Sequence, residues 1–161
     1  MKQLTIAELF KTFPHSGELV WIGLRPARLQ SMQIVNEVFA DQNSGLSGDR
    51  YQGSSGKRQV TLIQWEHLAV IQSIMKRQIT PELLRRNLVI KGINILALKN
   101  CNFSIGNALF QTTGLCHPCS RMEDVLGAGG YNALRGHGGV TARIISSGVI
   151  RVGDKLTVTQ E

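Results

Sequence analysis

Long apolar runs are missing from this 161-residue chain. No stretch approaches the roughly 18 residues that a membrane-spanning helix needs. The N-terminal MKQLTIAELFKTF breaks its apolar residues with Lys2, Glu8 and Lys11, unlike the core of a secretory signal. The expected location is therefore the cytoplasm, with no membrane partner. Cysteine is scarce as well: of three residues at least one stays unpaired within the chain, which predicts free thiols in a reducing compartment. Only 4 Pro, no collagen-like period and a hydrophobic fraction of 42% exclude fibrous architecture and wholesale disorder. Aromatics make up 6% and do not interleave with cations, so a base-stacking platform is lacking. There is no phosphate-binding G-x-x-x-x-G-K-[ST] loop.

Acidic residues are also few. Against 18 Lys and Arg stand 11 Asp and Glu, a formal charge of +7. Such a surplus points to an anionic partner. The basic residues are spread along the chain, with Lys57-Arg58, Lys76-Arg77 and Arg85-Arg86 the adjacent pairs. That distribution favours a pocket for a small anion over a nucleic-acid surface.

Neither an internal repeat nor a linker divides the chain, which predicts a single domain over 1–161. Thr5 and Glu8 form a capping box, with Leu4 and Leu9 as its staple, and start a short helix over about 5–12. Strand-like runs follow at Glu18–Leu24 and Met32–Phe39, then a loop over 41–58 with four Gly and four Ser. After the strand Val60–Ile63, apolar residues from Gln64 to Gln78 recur at helical spacing and predict the main helix. Thr80-Pro81-Glu82 opens another short helix. Further strand-like runs are 87–92, Ile93–Leu98, Phe103–Thr112 around Gly106-Asn107, Val140–Ser146 and Val149–Val158. Strands outnumber helices about two to one at irregular spacing, which predicts a β-rich, barrel-like α+β domain.

The segment richest in chemistry is Thr113-Gly114-Leu115-Cys116-His117-Pro118-Cys119-Ser120-Arg121-Met122-Glu123. Ser120 and Glu123 form a second capping box, which would start a helix directly after Cys119. The helix dipole, Arg121 and His117 would then all favour thiolate at Cys119. An accessible thiolate suits nucleophilic sulfur chemistry, persulfide carriage or soft-metal ligation. A buried structural cysteine, a Cys116–Cys119 dithiol, and a zinc site from Cys101, Cys116, Cys119 and a histidine remain open on the residues alone. His117 and His137 are weak ligand candidates.

Four motifs occur together in one order. They are Gly48-Asp49-Arg50 followed by the strand Gln59–Ile63; Arg85-Arg86-Asn87-Leu88-Val89-Ile90-Lys91-Gly92; Gly114-x-Cys116-x-Pro118-Cys119; and Ala142-Arg143-Ile144-Ile145 through Gly153-Asp154. In these the chain, from about 17 to 158, resembles a small stand-alone, bacterial-type member of the molybdenum cofactor sulfurase C-terminal (MOSC) domain family. The resemblance implies a closed β-barrel-like fold with flanking helices and a pocket for the molybdenum–pterin cofactor (molybdopterin). Cys119 would ligate molybdenum or carry sulfur as a persulfide. It also implies a possible oxidoreductase activity on N-hydroxylated compounds. The pyridoxal-phosphate desulfurase and iron–sulfur domains of larger relatives have no counterpart in this sequence. An external electron donor or sulfur donor protein is therefore expected as a partner.

Physical reasoning places Arg50, Arg85, Arg86, Asn87 and Arg143 as candidate cofactor-binding residues. Guanidinium pairs bidentately with phosphate, and an Asn amide can satisfy pterin edges. Each has a plainer alternative: a helix end for the Arg pair, an Asp–Arg loop clamp for Gly48-Asp49-Arg50, an outward strand position for Arg143. The Gly127–Gly130 and Gly136–Gly139 clusters suit either a mobile flap or tight turns. The rival function is a basic β-barrel that binds RNA or protein, with Cys119 structural. Alkylation near neutral pH separates the two: Cys119 is expected to be labelled rapidly in the native protein, read by mass spectrometry of the peptides. Labelling only after denaturant would make it structural.

Overall fold

The computed structural model describes residues 1–51 and 53–160. Helix α1 (Ile6–Phe10) carries the predicted capping box. The Thr5 hydroxyl accepts from the Glu8 amide, and the Glu8 carboxylate accepts from the Thr5 amide at 2.7 Å. It buries none of its residues. Strand β1 (Gly17–Leu24) follows. The expected strand over 32–39 is two, β2 (Gln33–Val35) and β3 (Glu37–Asp41), broken at Asn36. The break lets the two halves join different sheets: β2 pairs with β1, while β3 pairs with the later strand Gly148–Arg151. Within the predicted loop lies a two-residue strand, β4 (Gly45–Leu46).

Next come β5 (Val60–Gln64), α2 (Trp65–Met75), α3 (Pro81–Leu84) and β6 (Leu88–Lys91). The run Ile93–Leu98 is a 3-10 turn at Ile95–Leu98, because the Asn94 side chain accepts from the Leu96 amide and starts a helical turn. The hairpin β7 (Asn102–Ile105) and β8 (Ala108–Leu115) forms as predicted around Gly106. Helices α4 (Ser120–Leu126) and α5 (Gly130–Leu134) precede β9 (Val140–Ser146). The closing run is split at Gly153 into β10 (Gly148–Arg151) and β11 (Lys155–Val158).

Seven strands close a barrel in the order β11-β7-β8-β9-β5-β6-β1, with β1 pairing back onto β11 through Gly17 and Leu156. The β5–β6 pair is parallel, so α2 and α3 serve as its crossover. Alternation along these strands explains their continuous apolar sequence. Val60, Leu62, Leu88 and Ile90 fill the barrel interior together with Leu19, Ile22, Phe103 and Phe110. Ile63 and Val89, on the opposite face, pack under the helices with Leu68, Ile71, Leu84, Met122, Leu126 and Leu134. The interior is therefore a packed core, and any ligand site lies outside it. Among the described residues, no helix is long and apolar enough to cross a membrane.

Two outcomes follow from this packing. Phe110, fully buried, stacks on Phe103 with ring centres 5.5 Å apart. Phe110→Ala is expected to lower unfolding free energy by about 3–5 kcal/mol in denaturant titration, with the slope retained. On the helical side, the rings of His67 in α2 and His137 after α5 meet edge to face at 5.2 Å, and Nδ1 of His67 is buried without a partner. Burial, then His137, pushes the pKa of His67 below its ordinary 6.5, against a weaker opposing pull from Glu66. The unfolded chain then binds more protons than the native one below that value. Stability should accordingly drop as pH falls through about 6.5, and His67→Gln should flatten that branch. An unchanged pH profile in the variant would refute the assignment.

Candidate functional site

The cavity lies on the outer face of the barrel, beside Thr61, whose neighbours Val60 and Leu62 point inward. Its volume is about 170 Å3. Seven arginines line it: Arg25 and Arg28 after β1, Arg50 and Arg58 from the long loop, Arg85 and Arg86 between α3 and β6, and Arg121 in α4. Cys116, His117 and Cys119 complete the polar wall, with Leu84 and Met122 below. Among the described residues no carboxylate lines it. Seven guanidiniums against the nearby carboxylate of Asp49 leave six of the chain's seven surplus positive charges here. The rest of the chain, with eleven bases and ten acids, is nearly neutral. Basic residues dispersed in sequence are thus gathered by the fold.

Each guanidinium is positioned by identifiable geometry. Asp49, its side chain fully buried, accepts from the Arg25 amide at 2.8 Å and pairs with the Arg25 guanidinium at 2.9 Å. Asp49 clamps Arg25 and not its neighbour Arg50, which lines the cavity. Arg85 ends α3 in the left-handed region, φ 53°, which reverses the chain and turns Arg86 inward. Burial, with Arg25, Arg121 and Arg50 nearby, pushes the pKa of Arg85 down, while Asp49 opposes.

Arg86 is 8% exposed. Its Nε donates to the Gly138 carbonyl at 2.9 Å and its Nη1 to the Leu84 carbonyl at 2.8 Å. Nη2 is buried without a partner. Burial pushes the guanidinium's pKa down; Cys116 and Cys119 pull the other way, and Arg25 and Arg58 add to the decrease. Among the described residues no carboxylate forms a salt bridge with it.

Helix α4 starts directly after Cys119, as expected, but its capping differs. The N-cap residue is Cys119 itself, in extended backbone and with no side-chain cap bond. Glu123 does not reach back. Its carboxylate accepts from the Gly129 and Tyr131 amides at 2.7 and 2.9 Å and caps α5 instead, which holds its pKa below the ordinary value. Cys119 is exposed and Cys116 buried, and both line the cavity. The Cys116 amide donates to the Gly139 carbonyl at 2.9 Å. Residues 116–119 run without a turn from β8 into α4, within an antiparallel pair rather than a βαβ unit.

Two predicted site residues lie elsewhere. Asn87 stands behind the wall with its amide fully committed: Oδ1 accepts from the Thr61 amide and hydroxyl, and Nδ2 donates to Gly23 and Asp49, all at 3.1 Å. It ties β1, β5 and β6 to the Asp49 turn and has no donor left for a pterin. Arg143 is exposed on β9, where its guanidinium donates to the Gln111 side chain across the β8–β9 register. Cys101 lies near α1, its Sγ 3.6 Å from the Lys99 carbonyl, and burial pushes its thiol pKa up. No cluster of three or more metal-ligating His, Cys, Asp or Glu occurs among the described residues. The expected zinc set therefore does not assemble.

Within the second glycine cluster, Gly138 and Gly139 make close approaches, whereas Gly127, Gly129 and Gly136 stand in open space. A Cβ on Gly138 would run into the Cys116 carbonyl and stand 3.5 Å from Nη2 of Arg86. Gly139, at φ +89°, presses on the Leu62 carbonyl. Sequence reasoning did not assign Arg25, Arg28, Arg58 or Thr61 to the site. The one available signal was Arg25-Pro26-Ala27-Arg28 at the end of a strand, and nothing in its spacing links it to Cys119.

Comparison with known proteins agrees with the geometry. The family model described as MOSC domain matches residues 39–157, about three quarters of the chain. Similar solved structures include the YuaD protein from Bacillus subtilis, at 17% identity and TM-score 0.77, covering 91% of this chain and 98% of that one. YiiM from Geobacillus stearothermophilus is similar at 18% identity and TM-score 0.70, covering 89% and 75%. YiiM from Escherichia coli is similar at 17% identity and TM-score 0.70, covering 92% and 71%. At such identities the likeness concerns the fold. No curated protein matches significantly. The matched family model, on a seven-stranded barrel with these motifs in order, establishes that the chain belongs to the MOSC domain family.

Proposed function

We propose that this protein binds a molybdenum–pterin cofactor in the arginine cavity and acts as an oxidoreductase on N-hydroxylated compounds, with Cys119 at the metal end. The observation that carries this is the meeting of an accessible sulfur with seven guanidiniums in one cavity. The donor set fits such a group. A thiolate is a soft ligand suited to molybdenum, and the guanidiniums match phosphate and metal-oxo oxygens. The unpartnered Nη2 of Arg86 is a donor without an acceptor. The cavity volume would take one anionic end of such a group, with Arg28, Arg50 and Arg58 among the residues that would hold it.

When bound, the cofactor supplies two-electron chemistry for removing oxygen from an N-hydroxylated substrate. The chain's own residues do the rest. Cys119 offers its sulfur at the cavity wall, and Arg50, Arg85 and Arg86 neutralise and orient the anion. The His117 imidazole lines the same wall beside them. Electrons would come from an external donor protein.

A second reading, persulfide carriage on Cys119, is favoured by one observation. The thiol is exposed and makes no cap hydrogen bond, so a sulfur donor can reach it. The pocket form of the arginine cluster, without Phe, Tyr or Trp among its lining, argues against RNA binding.

Expression in a host competent for molybdenum-cofactor synthesis tests the proposal. The wild type should retain molybdenum and pterin, and Cys119→Ala should lose at least tenfold of the metal. An apo wild type bearing a labile sulfur on Cys119 would favour carriage. A protein with neither metal, pterin nor labile sulfur would overturn both readings.

A further inference from the structure

We infer that the cavity is a built site for one tetrahedral oxyanion, of the shape of phosphate, sulfate or molybdate, with Arg86 as its innermost donor. The inference deepens the cofactor reading, on which it rests for the identity of a larger ligand, by naming the chemistry that the same cavity selects. Size is the first argument. At about 170 Å3 the cavity falls short of the roughly 300–1,000 Å3 of pockets that engulf organic ligands, yet holds a five-atom oxyanion with room for water.

The second argument is the orphan donor. Two of the Arg86 nitrogens are fixed on the carbonyls of Gly138 and Leu84, so the plane of the guanidinium is set before any ligand arrives. The third, Nη2, is buried and unpaired. A buried N–H without a partner is unfavourable, and an incoming anionic oxygen supplies the missing acceptor.

Charge is the third argument. Arg25 is neutralised by Asp49, while Arg50, Arg58, Arg85 and Arg121 converge with Arg86 on a volume that no carboxylate among the described residues lines. Like charges at such density repel unless an anion joins them, and a multivalent oxyanion does so better than chloride. Gly138 keeps this arrangement open, because a Cβ there would run into the Cys116 carbonyl and force a shift in the segment whose Gly138 carbonyl holds Nε of Arg86.

The test uses the apoprotein and inorganic probes. Calorimetric titration with phosphate, and separately molybdate, in chloride buffer of fixed ionic strength should give saturable 1:1 binding. Arg86→Lys keeps the charge but loses the fork, and should weaken binding tenfold or more. Lys155→Gln, which removes an exposed charge from β11, should stay within twofold. Should Arg86→Lys fail to fold, Gly138→Ala, with all charges intact, carries the same expectation.

Binding that follows ionic strength alone, or that is unchanged in a folded Arg86→Lys or Gly138→Ala, overturns the inference, as does no saturable binding at all. A phosphomonoester in parallel identifies the source. Tighter binding of the ester supports the site as the terminus for a larger ligand; binding of the free ion alone supports an inorganic ligand. The two readings fail separately. A protein that loads molybdenum and pterin yet binds no oxyanion sinks the subsite, whereas oxyanion binding in a protein that never loads the cofactor sinks the cofactor reading.

Discussion

One buried carboxylate holds the cationic side of this protein together. Asp49 accepts from the backbone and guanidinium of Arg25 and from the amide of Asn87, and Asn87 in turn bonds β5 through Thr61 and β1 through Gly23. A negative charge buried this deeply persists only when saturated with donors, and here it is. It fixes the end of β1, the turn carrying Arg50, and the approach to β6 carrying Arg85 and Arg86. Without it the turn carrying Arg50 would lose its anchor and Arg25 its countercharge.

From that constraint the character of the cavity follows. The fold spends its hydrophobic residues on two cores, one inside the barrel and one beneath the helices, and leaves the seam near Thr61 to polar groups. Into that seam come guanidiniums from four separate stretches of chain and the two sulfurs of a fifth. Positive potential is thereby focused beside low-dielectric walls, where it acts more strongly than on an open surface.

The architecture was legible in the sequence to the extent that it rests on local signals. The Thr5–Glu8 box, the period of α2 and the turn at Gly106 are each written within a few residues. The resemblance supplied the barrel, and the motifs Gly48-Asp49-Arg50, Arg85-Arg86 and Cys119 marked three edges of the cavity. What local reasoning missed depends on tertiary choices. The Met32–Phe39 run reads as one strand because the break at Asn36 is set by which sheet each half joins. Glu123 fits a capping box by spacing, yet α5 offers two amides that win its carboxylate. Asn87 and Arg143 have the right chemistry for a ligand, but one is consumed by β5 and Asp49 and the other faces outward. The convergence of Arg25, Arg28 and Arg58 on Cys119 has no counterpart in sequence spacing.

The barrel seam between Gly17 and Leu156 has a consequence for biogenesis. The strands that meet there lie near opposite ends of the chain, so no ring of hydrogen bonds exists until nearly all of it has been synthesised. A nascent chain leaving the ribosome holds β1 with an unpaired margin while later segments are still being made. Contacts this distant in sequence slow folding and prolong the exposure of sticky edges. Assembly of the guanidinium cluster is delayed by the same logic, since Arg121 emerges long after Arg25; the cationic cavity is thus among the last features the newborn polypeptide completes.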